Sequence, residues 1–380
     1  MSGSSSFGTR PRARDLNIII GGLLPGEYNA ITDVRGVCVG HTTIIQGKGA
    51  LVPGVGPIRT GVTAILPHSG DLFLDKVTGA IVQINGFGEV TNSQQVDEMG
   101  TLEGPLMITN TLNVARVADA VIDWALDHST EMGVTTWGIS PIVAETSDSY
   151  LNDIRGRHVH KLHVYEALEN ARGAVVVEGA VGGGTGMICY EFKGGIGTSS
   201  RVLPESLGGF TVGVLVQSNF GSRGELRIDG VPVGRELMDY DERVRRESQG
   251  SVIVVIATDA PMTSRQLRRM GVRATHGLAR TGTHGGNTSG DFAIAFSTTR
   301  NRPHHSTSNT LQLAQVVEDT VLINTLFDAV VEATEEAVLN SLFKAETMIG
   351  RDNRIINALP IEETVEIMQK YGHTKVQLPS

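Results

Sequence analysis

Gln249-Gly250-Ser251-Val252-Ile253-Val254-Val255-Ile256-Ala257-Thr258 is the stretch on which the fold turns. The uninterrupted apolar run Val252–Ile256 shows no polar alternation, so it reads as a strand buried on both faces. Such a strand belongs at the centre of a sheet that is covered on each side. Ahead of it lies the charged, turn-like stretch Met238-Asp-Tyr-Asp-Glu-Arg-Val-Arg-Arg-Glu-Ser-Gln249, of which 239–249 is the best candidate for an exposed segment. Gly250 is free to take strained backbone angles, and Ser251 places a hydroxyl at the mouth of the core strand. A chain could cut itself there, making Ser251 both nucleophile and new N-terminus. Alone, Gly-Ser before a strand is an ordinary turn.

Outward from this strand, short apolar segments recur between Gly-rich turns. Strands are expected at Asn17–Ile20, Val62–Leu66, Ala80–Ile84, Thr135–Ile139, Ala174–Val177, Thr211–Val216 and Phe292–Phe296. Helical spacing appears at Asn113–Leu126, with Val114, Val117, Ala118, Val121 and Ala125 on one stripe. Thr263-Ser-Arg-Gln266 has the form of a capping box before Leu267, Met270, Ala274 and Leu278. A long helical pattern runs from Gln315 to Met348, with Val316, Val317, Val321, Leu322, Leu326, Val330 and Val331 available to face a sheet. Strands and helices mix without strict βαβ alternation, which favours an α+β layered fold.

The chain of 380 residues is 40% hydrophobic and can bury a large core, and its 46 glycines suit tight turns. A net charge of −9 argues against a nucleic-acid surface. Arg265, Arg268, Arg269 and Arg273 fit a solvated helix face. Cys38 and Cys189 are too few for a disulfide framework or zinc cage, and both are expected in the core. Met1–Thr9 reads as a disordered tail, taken to extend to residue 14, with a single catalytic domain over 15–380. With no apolar signal core in this tail and no run of membrane-spanning length, the expectation is a cytoplasmic protein that engages neither membrane nor nucleic acid.

Five further blocks occur in order: Glu178-Gly-Ala-Val-Gly-Gly-Gly-Thr-Gly-Met187, Phe192-Lys-Gly-Gly-Ile-Gly-Thr198, Leu226-Arg-Ile-Asp-Gly-Val-Pro-Val-Gly234, Gly250–Pro261 and Ser289-Gly-Asp-Phe-Ala-Ile-Ala-Phe-Ser297. Together they resemble the DmpA-like family, the L-aminopeptidase/D-Ala-esterase/amidases and β-peptidyl aminopeptidases, from about Asn17 to about Gly350. The resemblance implies a four-layer αββα sandwich and a serine aminopeptidase that cuts itself between Gly250 and Ser251 into fragments 1–250 and 251–380. It implies neither a metal nor an organic cofactor, and a homo-oligomer, taken as a tetramer, of processed pairs. Its substrates would be short peptides, amides or esters with a free amine.

The chemistry of such a cut is self-consistent. A serine hydroxyl needs a base, and an α-amine with an ordinary pKa of about 7.7–8.0 can serve. By resemblance, Asn219 is the oxyanion-hole amide and Ser289 with Asp291 orients the Ser251 amine and hydroxyl. On a strand their spacing of two puts both side chains on one face. Glu145 would hold the substrate ammonium by charge-assisted hydrogen bonding. The sequence departs from the L-aminopeptidase branch at Ser147, where that branch carries Tyr, which leaves β-peptidyl activity open. Trp137 could line the same pocket.

Other motifs point elsewhere. Gly182-Gly-Gly-Thr-Gly186 lacks the third glycine of a dinucleotide loop and the Lys-Ser/Thr of a phosphate loop. It reads as a place of close backbone approach, with N–H groups that could add oxyanion donors. His158, His160 and His163, and His304-His305, lack a completing ligand pattern. His68 has no assigned task, and Asn85-Gly-Phe-Gly88 is expected to border the substrate cleft. Two rival readings are an ornithine acetyltransferase-like acyl transferase, whose nucleophile is Thr, and a non-catalytic binding protein of the same fold.

Overall fold

The computed structural model describes residues 10–241 and 249–379. Ten strands form its two main sheets: β1 (Cys38–Gln46), β2 (Ile58–Leu66), β3 (Asp75–Gly86), β4 (Thr101–Leu102), β5 (Leu106–Asn110), β6 (Ile142–Thr146), β7 (Gly195–Val202), β8 (Thr211–Asn219), β9 (Gln249–Thr258) and β10 (Thr288–Pro303). One sheet has the order β1-β2-β5-β6 and the other β4-β3-β10-β9-β8-β7. Within them only β5/β6 and β9/β10 pair in parallel.

Side-chain alternation along β9 builds the layers. Ile253, Val255 and Ala257 pack in one cluster with Val39, Ile65, Ile108 and Ala144 of the four-stranded sheet. Val252, Val254 and Ile256 pack the other way, against Leu267, Met270, Leu326 and Val330. These belong to α3 (Ser264–Arg280) and α4 (Val321–Lys344). The outer face of the four-stranded sheet is covered by helices Val114–His128 and Lys161–Glu169, α1 and α2. The result is helix, sheet, sheet, helix. A strand with apolar partners on both faces must be apolar throughout, which is why β9 lacks alternation.

The capping box is present: Thr263 Oγ1 accepts from Gln266 N at 3.3 Å, and Gln266 Oε1 accepts from Thr263 N at 3.0 Å. The arginines of α3 are solvated ion-pair partners, with Arg268 on Asp97 and Arg265 and Arg269 on Glu318.

Several expectations are corrected. Asn17–Ile20 forms no strand. Its burial alternates (Ile18 1%, Ile19 50%, Ile20 1%), yet its hydrogen bonds form no ladder: Asn17 N and Ile18 N donate back to the Arg14 and Ala13 carbonyls, and the Ile20 carbonyl accepts from Arg201. Thr135–Ile139 and Ala174–Val177 are also irregular. The long C-terminal helix starts only at Val321, after left-handed Asp319 (φ 58°), so Val317 and Val321 are exposed instead of facing a sheet. Residues 10–14 are not a loose tail. Ala13 is fully buried, and Arg14 binds Glu336 at 2.9 Å beside wholly buried Arg201. Cys189 is buried but Cys38 is only half-buried. The expected exposed segment 239–249 falls largely outside the described residues.

Candidate active site

Ser251 sits on β9 with its side chain on the face of Ile253 and Val255, between the two sheets. Register places Asn219 of β8 directly opposite it. Asn219 Nδ2 lies 3.3 Å from Ser251 Oγ and 3.0 Å from the Ser147 carbonyl, while Oδ1 accepts from Ile188 N at 3.1 Å. The amide is thus held at both ends, with one N–H aimed at the Ser251 hydroxyl. A donor fixed in this way needs no reorganisation when charge develops nearby.

On its other side Ser251 faces Gly290 of β10. A Cβ at Gly290 would stand 2.6 Å from the Phe87 carbonyl oxygen and 2.8 Å from Gly88 Cα. A Cβ at Gly88 would in turn meet Glu145 Oε1 at 3.0 Å. Two glycines in contact therefore bring the loop after β3 and Glu145 to the face of β9 that carries the Ser251 hydroxyl, so Asn85–Gly88 borders the site. Glu145 is the last residue but one of β6 and is 5% exposed. Thr111 Oγ1 donates to its Oε2 and Glu89 N donates to Oε1 at 3.2 Å. Burial pushes its carboxyl above the usual range, and these hydrogen bonds offset part of that.

Ser289 and Asp291 share a face, as their spacing requires: Ser289 Oγ donates to Asp291 Oδ1 at 2.6 Å. That face is shared with Ala293 and Ala295 on the helix side, opposite the Ser251 hydroxyl. Ser289 pairs with Gly250, and its Oγ would lie 3.2 Å from a Cβ placed there. The chain runs unbroken through residues 250 and 251, and here the pair flanks the peptide bond that joins them and leaves the hydroxyl to Asn219. Burial raises the Asp291 carboxyl, against hydrogen bonds from Ser289 and the Val252 backbone.

Ser147 contributes its carbonyl to Asn219, while its hydroxyl turns to Ser149 at 3.1 Å. Trp137 stands apart. It is 64% exposed and its ring lies 4.6 Å from that of His304, beyond the end of β10 remote from Asp291. The glycine loop does not supply oxyanion donors through residues 182–185. Those N–H groups bind Thr43, Thr63, Val181 and Gly182, and a Cβ at Gly184 would meet Ile196 N at 2.5 Å. Close packing against β7 is what its glycines serve. His158 pairs with Asp153 at 2.9 Å, His68 with the Asp75 carbonyl at 2.7 Å, and His304 with Lys76 at 3.1 Å.

Sequence reasoning missed Asp148 and Thr111. Asp148 is fully buried and accepts from Thr60 (2.6 Å), Asn110 (2.8 Å) and Asn152 (3.0 Å), with burial pushing it up to about 6. It anchors the turn that carries Ser147. Its place in Glu145-Thr-Ser-Asp148, three residues after a proposed ligand-binding carboxylate, was the available signal.

Comparison with known proteins gives the family. The sequence matches peptidase family S58 over residues 29–356. It is 45% identical over 372 residues to "Beta-peptidyl aminopeptidase BapA" of Sphingosinicella xenopeptidilytica, covering 94% of this chain and 91% of the relative. Among solved structures, the PH0078 protein of Pyrococcus horikoshii is 48% identical with a TM-score of 0.91, covering 95% of this chain and 99% of that one. The L-aminopeptidase D-Ala-esterase/amidase of Ochrobactrum anthropi, described as a prototype serine aminopeptidase with a variant Ntn-hydrolase fold, is 41% identical with a TM-score of 0.88, covering 97% and 100%. The match removes the ground for the acetyltransferase-like reading. Sheet order, the residues around Ser251 and near full-length similarity lead to one conclusion: the chain belongs to peptidase family S58 and is a serine aminopeptidase with the variant Ntn-hydrolase fold.

Proposed function

We propose that the chain cuts itself between Gly250 and Ser251, and that the freed Ser251 then removes N-terminal residues, β-amino acids among them, from short peptides and amides. The observation that carries this reading is the Asn219 N–H aimed at Ser251 Oγ from 3.3 Å, with Glu145 on the same face. The new α-amine accepts the hydroxyl proton and later returns one to the leaving amine. Ser289, backed by Asp291, stands where it can accept a hydrogen bond from that amine. Asn219 stabilises the oxyanion and Glu145 holds the substrate ammonium. Preference for β-peptides is supported by the relative's name and by Ser147, which leaves room where a tyrosine would narrow the pocket.

Intact-mass measurement of wild type beside Ser251→Ala tests the processing. Two fragments from wild type and one chain from the variant are expected, and a cut variant would refute the proposal. A panel of β-homoamino, L-α-amino and D-Ala amides then reads the preference. The expected homo-oligomer is supported by exposed Ile45, Val175, Val177 and Ile349 around one cleft of about 530 Å³, and light scattering measures it.

A further inference from the structure

Behind the Ser251 hydroxyl, on the helix side of β9, a cavity of about 70 Å³ opens beside Gly250. Glu191, Ser222, Glu225, His284 and Ser289 supply its polar lining. A water needs only about 10–15 Å³ of such space, so the cavity has room for several waters. Two successive left-handed residues, Tyr190 (φ 51°) and Glu191 (φ 63°), turn the chain into it. Glu191 Oε1 accepts from Arg223 N at 3.3 Å, whereas its buried Oε2 has no partner among the described residues. A buried carboxylate oxygen left in this way calls for an ordered water. His284 Nδ1 lies 2.9 Å from Glu225 Oε1, which leaves Nε2 as the acceptor. Its imidazole is largely open to solvent, giving an abstracted proton an exit.

We infer that this cavity holds the water that completes self-cleavage, and that His284 is the base for it. The inference rests on the proposed cut at Gly250–Ser251. Once Ser251 Oγ has displaced the Ser251 nitrogen from the Gly250 carbonyl carbon, with the hydroxyl proton passing to that nitrogen and a second proton taken up from solvent, an ester and a Ser251 ammonium stand in place of the peptide bond. The cavity water attacks the carbonyl carbon and gives one proton to His284 Nε2. The carbon–Oγ bond breaks, and its electron pair leaves on Oγ, which takes a proton from the ammonium. Gly250 ends as a carboxyl group that ionises, Ser251 regains its hydroxyl and has a neutral amine, and the imidazolium, steadied by Glu225, releases its proton to solvent. Glu191 Oε2 positions the water.

The test follows conversion of freshly synthesised full-length chain by gel and intact mass. His284→Ala slows cutting by about 100-fold or more, the usual scale of a lost general base. Hydroxylamine, which opens an ester without help from a base, restores cutting in that variant and leaves a hydroxamate on Gly250. Glu191→Gln, which keeps the shape, slows cutting in the same hydroxylamine-relieved way. Cutting of His284→Ala within about twofold of wild type, or a slowing that hydroxylamine does not relieve, overturns the assignment. Ser251→Ala run in parallel separates the two failures: if it is cut, the processing reading itself falls, whereas an uncut Ser251→Ala beside a fast His284→Ala removes only His284.

Discussion

Asn219 Nδ2 and Ser251 Oγ lie 3.3 Å apart across an antiparallel strand pair, at the last register position of both strands' pairing. Directly opposite residues of such a pair share a face, so the proposed oxyanion donor and the proposed nucleophile are held by backbone hydrogen bonds and not by a loop.

Removing that donor isolates its contribution. Asn219→Ala is expected to lower kcat by about 100- to 1000-fold with a much smaller change in KM. Steady-state kinetics on an amino-acid p-nitroanilide, normalised to the fraction of cut chain, measure it. A change confined to KM would remove Asn219 from the oxyanion hole.

Glu145→Gln keeps the shape of the side chain and removes its charge. Loss of a charge-assisted hydrogen bond predicts a fall in kcat/KM of about 10- to 100-fold for free-amine substrates. Because burial raises the Glu145 carboxyl, wild-type activity should fall on the acid side at a pH above the ordinary carboxylate range, as the carboxylate that holds the ammonium is protonated. The variant should lack that limb in its kcat/KM profile.

Gly290→Ala places a methyl group 2.6 Å from the Phe87 carbonyl oxygen. Backbone on that side cannot swing away as a long side chain could. Overpacking of this kind costs about 1–3 kcal/mol, which a chemical denaturation midpoint reads, and it should displace Gly88 from Glu145 and weaken substrate binding.

Asp148 has a folded-state value of about 6 against an ordinary 3.8. The folded chain therefore holds this proton more tightly than the unfolded chain, so the contribution to stability is full below the unfolded value. It is lost as pH rises through about 6, on the order of 3 kcal/mol in all. Thermal melts of wild type and Asp148→Asn between pH 4 and 7 should show wild type losing ground to the variant as pH rises. Parallel curves would contradict this sign.

Much of the fold was legible around β9, because a strand covered on both faces announces itself by unbroken apolar sequence. The same physics explains where reading failed. Ile18 and Ile20 alternate with exposed Ile19 as in a strand, but hydrogen bonding to Arg201 and not to a neighbouring strand makes this an extended arm. Strands β1, β5 and β6 escaped notice because their buried polar residues, Thr42, Thr109 and Asn110 among them, break the apolar pattern; Thr109 donates to the Gly61 carbonyl and Asn110 to Asp148. Ser251, Asn219, Ser289, Asp291 and Glu145 were proposed by motif, and the fold gathers them around residues 250 and 251. Trp137 was not brought near them, since a lone tryptophan carries no positional information. The division of labour between the two faces of β9 could not be read from spacing, as it depends on which layer covers each face.

The parallel pairing of β9 with β10, and the antiparallel pairing with β8, continue to the first residue after the proposed cut. Severing the chain there leaves the new terminus clamped between two neighbours, with a full layer above and below. The halves can part only by melting the entire molecule. The matured enzyme should accordingly keep its specific activity on extreme dilution, behaving as one body although it consists of two polypeptides.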